Sequence, residues 1–120
     1  MQAARNVLVA IVAIEHLWLL VLEMFLWTKP IGLRTFRMTA QRADASKTLA
    51  ANQGLYNGFL AAGLAWGLLA DPVHSWSIIT FFLSCVIAAG VFGGLTASRG
   101  ILAVQALPAV VALLLHLAVR

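Results

Sequence analysis

Hydrophobic residues fill four long stretches of the chain, which short polar segments separate. The stretches cover about residues 6–28, 48–70, 77–95 and 101–119. Each approaches the roughly 20 residues that an α-helix needs to cross about 30 Å of hydrocarbon. The pattern predicts an all-α, polytopic membrane protein built as a bundle of four transmembrane helices. Because the stretches leave no room for a soluble domain, we expect a single membrane domain over residues 1–120.

The composition agrees with a protein that is solvated mainly by lipid. Hydrophobic residues make up 62% of the chain and charged residues only 10%, whereas soluble domains carry about 25% charged residues. The first stretch contains Glu15, His16 and Glu23 and is too long for the apolar core of a cleaved signal peptide. We therefore expect it to be retained as a spanning helix. The single cysteine, Cys85, excludes an internal disulfide and any cysteine cluster within one chain.

Basic residues are concentrated in the segment 29–47, between the first two stretches. It holds five of the eight basic residues, namely Lys29, Arg34, Arg37, Arg42 and Lys47. Arg99 lies on the same side of the predicted bundle, whereas Arg5 and Arg120 lie on the other. The positive-inside rule makes 29–47 a cytoplasmic loop that contacts anionic lipid headgroups. It also predicts a multi-pass protein of the inner or plasma membrane, with both termini outside the cytoplasm. No groove-reading motif accompanies the basic segment, so no nucleic-acid partner is expected.

Small residues and the basic segment each leave two interpretations open. Glycines recur four residues apart, as at Gly54 and Gly58. Such pairs let helices approach closely in lipid, and here they serve either packing within one bundle or the seam of a homo-oligomer. The segment 33–47 fits either a short amphipathic helix on the membrane surface or a flexible basic loop. Pro108 is expected to bend the fourth helix.

Polar side chains inside the apolar stretches are the candidate site. They are Glu15, His16, Glu23, Asn52, Gln53, Tyr56, Asn57 and Gln105. An ionisable group near the bilayer centre costs on the order of 3 kcal/mol, and such groups usually face the bundle interior. Because antiparallel helices bring these residues to similar depths, we expect a polar cavity between the first, second and fourth helices. The residues either bind a ligand and carry a proton there, or satisfy one another and fix the helix register.

The two glutamates carry the functional part of this hypothesis. No lysine or arginine lies beside Glu15 or Glu23 within any stretch, so burial favours the neutral, protonated carboxyl group, which suits a proton carrier. His16 is a partner for either acid. Metal binding is not expected, because Glu15 and His16 project about 100° apart on a helix. No nucleophile motif, phosphate-binding glycine loop or thiol pair is present, so no cofactor and no catalytic residue are predicted.

Three functions are compatible with these residues. The first is binding or transport of a small molecule, coupled to protons through Glu15 or Glu23, with the amides and Tyr56 orienting the ligand. The second is an accessory or scaffold membrane subunit whose polar cluster is purely structural. The third is an intramembrane isomerase-type enzyme acting on a lipid-soluble substrate, in which a glutamate and His16 move protons. The balance leans against an enzyme, and the sequence does not identify the small molecule.

Three segments resemble a known family. They are IEHLWLLVLEMFLW at 14–27, ANQGLYNGFLAAGL at 51–64 and QALPA at 105–109. They are similar to the uncharacterised family of small bacterial integral membrane proteins labelled domain of unknown function 1304, and the similarity runs through almost the whole chain. The resemblance implies a membrane protein of four helices. It implies no activity, because the family carries no established function.

Overall fold

The computed structural model describes residues 1–120 and is entirely helical, without strands. Its helices are α1 (Gln2–Met24), α2 (Pro30–Thr35), α3 (Ala40–Leu69), α4 (Pro72–Thr96), α5 (Arg99–Ile101) and α6 (Leu107–Ala118), with a π-helical turn (Leu102–Ala106) between the last two. The residues 99–118 form one continuous run, which is called the last helix below. Three runs are long and apolar enough to cross a membrane: α1, α4 and the last helix. The prediction of an all-α membrane protein is confirmed to this extent.

Helix α3 begins much earlier than the hydrophobic pattern suggested. The expected start was residue 48, but the helix begins at Ala40, after Thr39, whose hydroxyl accepts a hydrogen bond from the Arg42 amide at 3.2 Å. This side-chain cap satisfies one of the amides that every helix start leaves free. The 30 residues of α3 measure about 45 Å at 1.5 Å per residue. Polar residues in its middle lower its mean hydropathy, so α3 is not among the three runs that are apolar enough to cross a membrane.

The basic segment 29–47 is a folded connection and not an open loop. Its first part is the short helix α2, and its last part already belongs to α3. The Trp27 indole donates a hydrogen bond to the Ser46 hydroxyl at 3.1 Å, and its ring lies 4.7 Å from the ring of Phe36. Gly32 lies directly under the carbonyl groups of residues 26 and 27, where no side chain would fit. Of the two interpretations left open for 33–47, the structure shows helix, divided between the end of α2 and the start of α3, and local capping and these contacts order the segment.

The four long helical runs pack as a closed ring. Helix α1 lies along α3, α3 along α4, α4 along the last helix, and the last helix along α1. The core between them consists of Val9, Val12, Leu64, Ile79, Leu83, Val86, Ala109 and Ala112. Large apolar side chains cover the outside, including Trp18 at 47% and Leu114 at 64% exposure. An outer surface of this kind is suited to lipid, because it would be costly to hydrate.

The glycines on the long helices are used for packing inside the chain. A methyl group at Gly54 would meet Met24, one at Gly63 would meet Phe82, and one at Gly90 would meet Ala106. These contacts join α3 to α1, α3 to α4, and α4 to the last helix. Packing within one bundle thus accounts for these small residues, while association of several copies stays a prediction.

A π-helical turn precedes Pro108 in the last helix. A proline ring lacks an amide donor and collides with the carbonyl four residues earlier, here that of Val104. Leu102–Ala106 widens into the π-helical turn at this point, and such local adjustment relieves the collision. Proline was expected to bend the helix, and a widened turn is the change that the structure shows. Gly90 of α4 packs against this turn at Ala106.

Candidate functional site

The buried side chains of α1 lie on one face, which is called the buried stripe below. Five of the helix's six buried residues form it: Arg5, Val9, Val12, His16 and Glu23. At 100° per residue they fall within an arc of about 60°. The stripe therefore carries one ionisable group near each end of α1 and one in the middle. All three face neighbouring helices of the same chain.

Glu23 occupies the end of the buried stripe nearest the basic segment. Its side chain is only 7% exposed, and its Oε1 accepts a hydrogen bond from the Asn57 amide of α3 at 2.7 Å. Glu23 also lines a cavity of about 390 Å³ that is open to the outside of the protein, together with Met24, Phe25, Trp27, Thr28, Lys47, Thr48 and Ala51. Of the predicted amides on the second long helix, the structure brings that of Asn57 to Glu23. The same carboxyl group borders space that a ligand could fill.

His16 lies in the middle of the buried stripe and is fully buried. Its Nδ1 donates a hydrogen bond to the Val12 carbonyl at 2.8 Å, which leaves a lone pair on Nε2. The Gln105 amide nitrogen lies 3.5 Å from Nε2 and can donate to it over this long contact. The structure thus brings His16 and Gln105 together and joins α1 to the last helix at this level.

Glu15 stands at the edge of the buried stripe, about 100° around the helix from His16. The residue is partly buried, and no partner within the protein lies in hydrogen-bond range of its Oε1. His16 makes its bonds to Val12 and Gln105, and Glu23 makes its bond to Asn57. Neither glutamate is therefore joined to His16, so the acid–base pair envisaged for an isomerase is not assembled.

Three predicted residues of α3 face outward. Asn52, Gln53 and Tyr56 are exposed, with Tyr56 at 59%. Small residues determine which side of α3 meets α1, and they form a narrow face made of Ala50, Gly54, Gly58 and Ala61. Asn57 lies about 60° from Gly54 around the helix, whereas Asn52 and Tyr56 lie about 160° away. Close packing on the small face therefore turns Asn57 inward and the other two outward.

The structure does not enclose the eight predicted residues in one cavity. Glu23 and Asn57 form one pair, His16 and Gln105 a second, and Glu15 lies apart. Two cavities instead lie at opposite ends of the bundle, and of the predicted residues only Glu23 lines either of them. The expectation of a shared cavity is wrong for Asn52, Gln53 and Tyr56, because α3 presents its small face to α1. The roles of the eight residues in ligand binding or proton transfer stay predictions.

A buried polar cluster at the other end of the bundle was missed at the sequence level. Arg5 of the buried stripe contacts His116 of the last helix, with 3.2 Å between Arg5 Nη1 and His116 Nδ1. In the sequence, Arg5 stands out only as a basic residue on the side opposite the basic segment, and His116 is not among the eight candidate residues. Their positions could have indicated this pair, since Arg5 lies near the start of α1 and His116 near the end of α6, and the topology brings these two helix ends together.

An exposed hydrogen-bonded pair, Asp71 and His74, marks the start of α4. The Asp71 carboxylate accepts hydrogen bonds from the amides of Val73 and His74, and its Oδ2 lies 2.8 Å from the His74 Nδ1. The hydrogen bond from the His74 side chain is the largest of the effects that hold the pKa of Asp71 below its ordinary value. This carboxylate is therefore already engaged by its own helix.

Comparisons with known proteins agree with the family resemblance. The model of the family described as "Protein of unknown function (DUF1304)" matches residues 10–117. The chain is also similar to the uncharacterized protein YpaA of Lactococcus lactis, with 29% identity over 110 residues that cover 90% of this chain and 92% of that protein. No solved structure matches the chain.

Proposed function

We propose that this chain, which belongs to the family described as "Protein of unknown function (DUF1304)", crosses the membrane four times and binds a small molecule at Glu23. The ligand carries a cationic amine or another hydrogen-bond donor, and Glu23 exchanges a proton as the ligand enters. One observation carries the proposal: a carboxyl group that is 7% exposed forms part of the wall of a cavity of about 390 Å³.

The count of four spans rests on the position of α3. This helix packs along both α1 and α4, which are apolar enough to span a membrane, and at 30 residues it is long enough to cross beside them. Large apolar side chains such as Phe59 and Trp66 lie exposed on its outer surface. Its polar side chain Asn57 is turned towards α1 and bonded there, which lowers the cost of crossing lipid.

The proposed orientation places the Glu23 cavity at the cytoplasmic end. The end of the bundle that holds this cavity also holds the basic segment 29–47 and Arg99, whereas Arg5 and Arg120 lie at the other end. Lysine and arginine excess marks the cytoplasmic side of bacterial-type membrane proteins. Both termini then lie outside the cytoplasm, in an inner or plasma membrane, and anionic headgroups meet the basic segment.

The chemistry of the cavity favours a ligand that donates hydrogen bonds. Asn57 bonds only Oε1 of Glu23, so Oε2 has no partner within the protein. The lysine in the cavity wall, Lys47, bonds to Asp44 at 3.0 Å, and no hydrogen bond joins it to Glu23. Phe25 and Trp27 add aromatic surface, and aromatic faces attract cations. A protonated amine thus finds an acceptor and an aromatic wall in the same space.

A coupling to protons follows from the single carboxyl group. Buried acids in membrane helices commonly serve as proton relays or ligand counter-ions. The neutral amide of Asn57 supplies no charge, so the carboxyl group holds either a proton or a cationic ligand. Binding of a protonated amine would then release a proton from Glu23, which makes binding stronger as the pH rises.

The scaffold function is the second candidate, and a specific observation favours it. The polar residues of the buried stripe pair with other helices, Glu23 with Asn57 on α3 and His16 with Gln105 on the last helix. Hydrogen bonds between helices in a membrane contribute on the order of 1 kcal/mol each. In this case the polar residues hold the bundle together and need no ligand.

Binding of a small amine to purified protein tests the proposal. Benzylamine is titrated calorimetrically into protein in maltoside micelles, in two buffers of different ionisation enthalpy. We expect binding with proton release in the wild type and about tenfold or greater weakening in Glu23→Gln, since the neutral amide removes the charge-assisted hydrogen bond. Glu15→Gln is the matched control on the same helix, because Glu15 does not line the cavity.

Four outcomes separate the candidates. Loss of binding in Glu23→Gln alone supports the binding function. Equal binding by the wild type and both variants refutes a role for Glu23, and the absence of benzylamine binding in the wild type counts against a cationic ligand. If Glu23→Gln instead unfolds at much lower denaturant concentration than Glu15→Gln, the scaffold function gains support.

A further inference from the structure

Arg5 is a buried cation without an acidic partner. Its side chain is 7% exposed, its Nη1 contacts His116 Nδ1, and no acceptor within the protein lies in range of its Nε. Arginine does not lose its proton in proteins, and buried charges are normally paired. The positive charge near this end of the buried stripe is therefore fixed and uncompensated by any side chain that touches it.

His116 does not supply the missing negative charge. The Thr80 hydroxyl donates its hydrogen to the Trp76 carbonyl at 2.8 Å, so its oxygen accepts from His116 Nε2 at 3.1 Å. Nε2 also lies 3.1 Å from the Trp76 carbonyl. With the ring proton on Nε2, Nδ1 offers a lone pair to Arg5. His116 is thus a neutral acceptor that positions the guanidinium group without neutralising it.

A second arginine lies beside the same cluster. The guanidinium carbon of Arg120 stands 4.3 Å from the centre of the Trp76 ring, and that ring stacks on His116 at 5.6 Å. The indole Nε1 of Trp76 is buried and has no acceptor within the protein. Two cations and two unpartnered donors, at Arg5 Nε and Trp76 Nε1, therefore occur in one small region.

The residues Arg5, Trp76, His116 and Arg120 line a cavity of about 470 Å³ at the end of the bundle opposite Glu23, while the atoms Arg5 Nε and Trp76 Nε1 are covered by protein. Its wall also includes the polar residues Gln2, Asn6, Ser75 and Ser77 and contains no aspartate or glutamate. The nearest acid along the chain, Asp71, is bonded to His74 and to the first amides of α4. Donors and positive charge dominate the cavity, which is the character of an anion site.

We propose that this cavity, formed by Arg5, Trp76, His116 and Arg120, binds a phosphate group. Guanidinium groups match the oxygens of phosphate with paired hydrogen bonds, and the cavity has room for a phosphate ester. It lies where the long helices end, at the level of the lipid headgroups if the bundle spans the membrane. The phosphate can belong to an anionic phospholipid or to a small soluble ester, because both present the same group.

Two titrations separate these sources. Dioleoylphosphatidylglycerol is added to protein in maltoside micelles and bound lipid is counted by native mass spectrometry; glycerol 1-phosphate is titrated calorimetrically. Arg5→Gln and Arg120→Gln are compared with Arg99→Gln, an exposed arginine at the other end of the bundle. We expect each cavity variant to weaken binding about tenfold or more, and Arg99→Gln to bind as the wild type does.

The results decide the proposal in either direction. If the cavity variants lose binding of the lipid but not of glycerol 1-phosphate, the site is assigned to a headgroup. If they lose binding of glycerol 1-phosphate, it is assigned to a soluble ester. Failure of the wild type to bind either probe, or equal binding by all variants, overturns the proposal. If Arg5→Gln does not fold, Arg120→Gln still tests it, because Arg120 is an exposed residue at the chain end.

Discussion

Replacement of Gly90 by alanine tests how tightly α4 approaches the π-helical turn. An added methyl group would lie 2.8 Å from the amide nitrogen of Ala106, 2.9 Å from its Cβ and 3.0 Å from its Cα. Two of these atoms belong to the main chain and the third is fixed to it, so no side-chain rotation relieves the contact. The turn and α4 must separate before the methyl group fits.

The expected magnitude comes from two opposing effects. Alanine is favoured over glycine inside a helix by about 1 kcal/mol, because it restricts the unfolded chain and buries no polar group. Overpacking a tight contact costs about 1–3 kcal/mol, and more when rigid atoms collide. Because main-chain atoms are involved here, we expect the collision to win and Gly90→Ala to destabilise the bundle by about 2 kcal/mol.

Gly58→Ala is the matched control on α3. There the added methyl group would approach only the end of the Leu20 side chain within 3 Å, and that end is free to rotate. Unfolding in mixed maltoside–dodecyl sulfate micelles, followed by circular dichroism, measures both variants. We expect a clear loss of stability for Gly90→Ala and a change within about 1 kcal/mol for Gly58→Ala. Equal stability of Gly90→Ala and the wild type would refute the close approach.

Two further substitutions test other contacts. Asp71→Ala removes the cap of α4 and the partner of His74. The hydrogen bond from His74 lowers the pKa of Asp71 in the folded protein. The contribution of the Asp71 carboxylate to stability is therefore complete above its ordinary pKa and is lost as the pH falls through the lowered pKa. The melting temperatures of wild type and variant should therefore differ at neutral pH and converge in acid, and a constant difference at all pH values would contradict this. A double-mutant cycle of Glu23→Gln and Asn57→Ala should give a coupling of about 1 kcal/mol, and additive effects would show that the 2.7 Å bond contributes nothing.

The positions of the three apolar helical runs could be predicted from the sequence, but the residue at which α3 begins could not. Apolar stretches located α1, α4 and the last helix within a few residues. Hydropathy indicates where a helix enters lipid, but it does not indicate where the helix begins in water. Helix α3 continues back to Ala40 because Thr39 caps it and the residues that follow are good helix formers.

The candidate site could be predicted only in part, because polarity was weighed more heavily than size. The eight polar residues were all expected to face inward, and the structure turns Glu23, Asn57, His16 and Gln105 towards neighbouring helices. For α3 the small face at Gly54 decided the orientation, since close approach of α1 requires it. Pairing of Arg5 with His116 depends on how two chain ends meet, which no local pattern along the sequence reports.

The length of α3 gives the two faces of the protein unequal heights, if the helix spans the bilayer. About 45 Å of helix against about 30 Å of hydrocarbon leaves about 15 Å outside it. The excess lies at the Ala40 end, because the Leu69 end connects directly to the spanning helix α4. The first turns of α3, which bear Arg42, Asp44 and Lys47, would then project from the membrane surface as a charged helical segment, held to the rest of the protein by the hydrogen bond from Trp27 to Ser46.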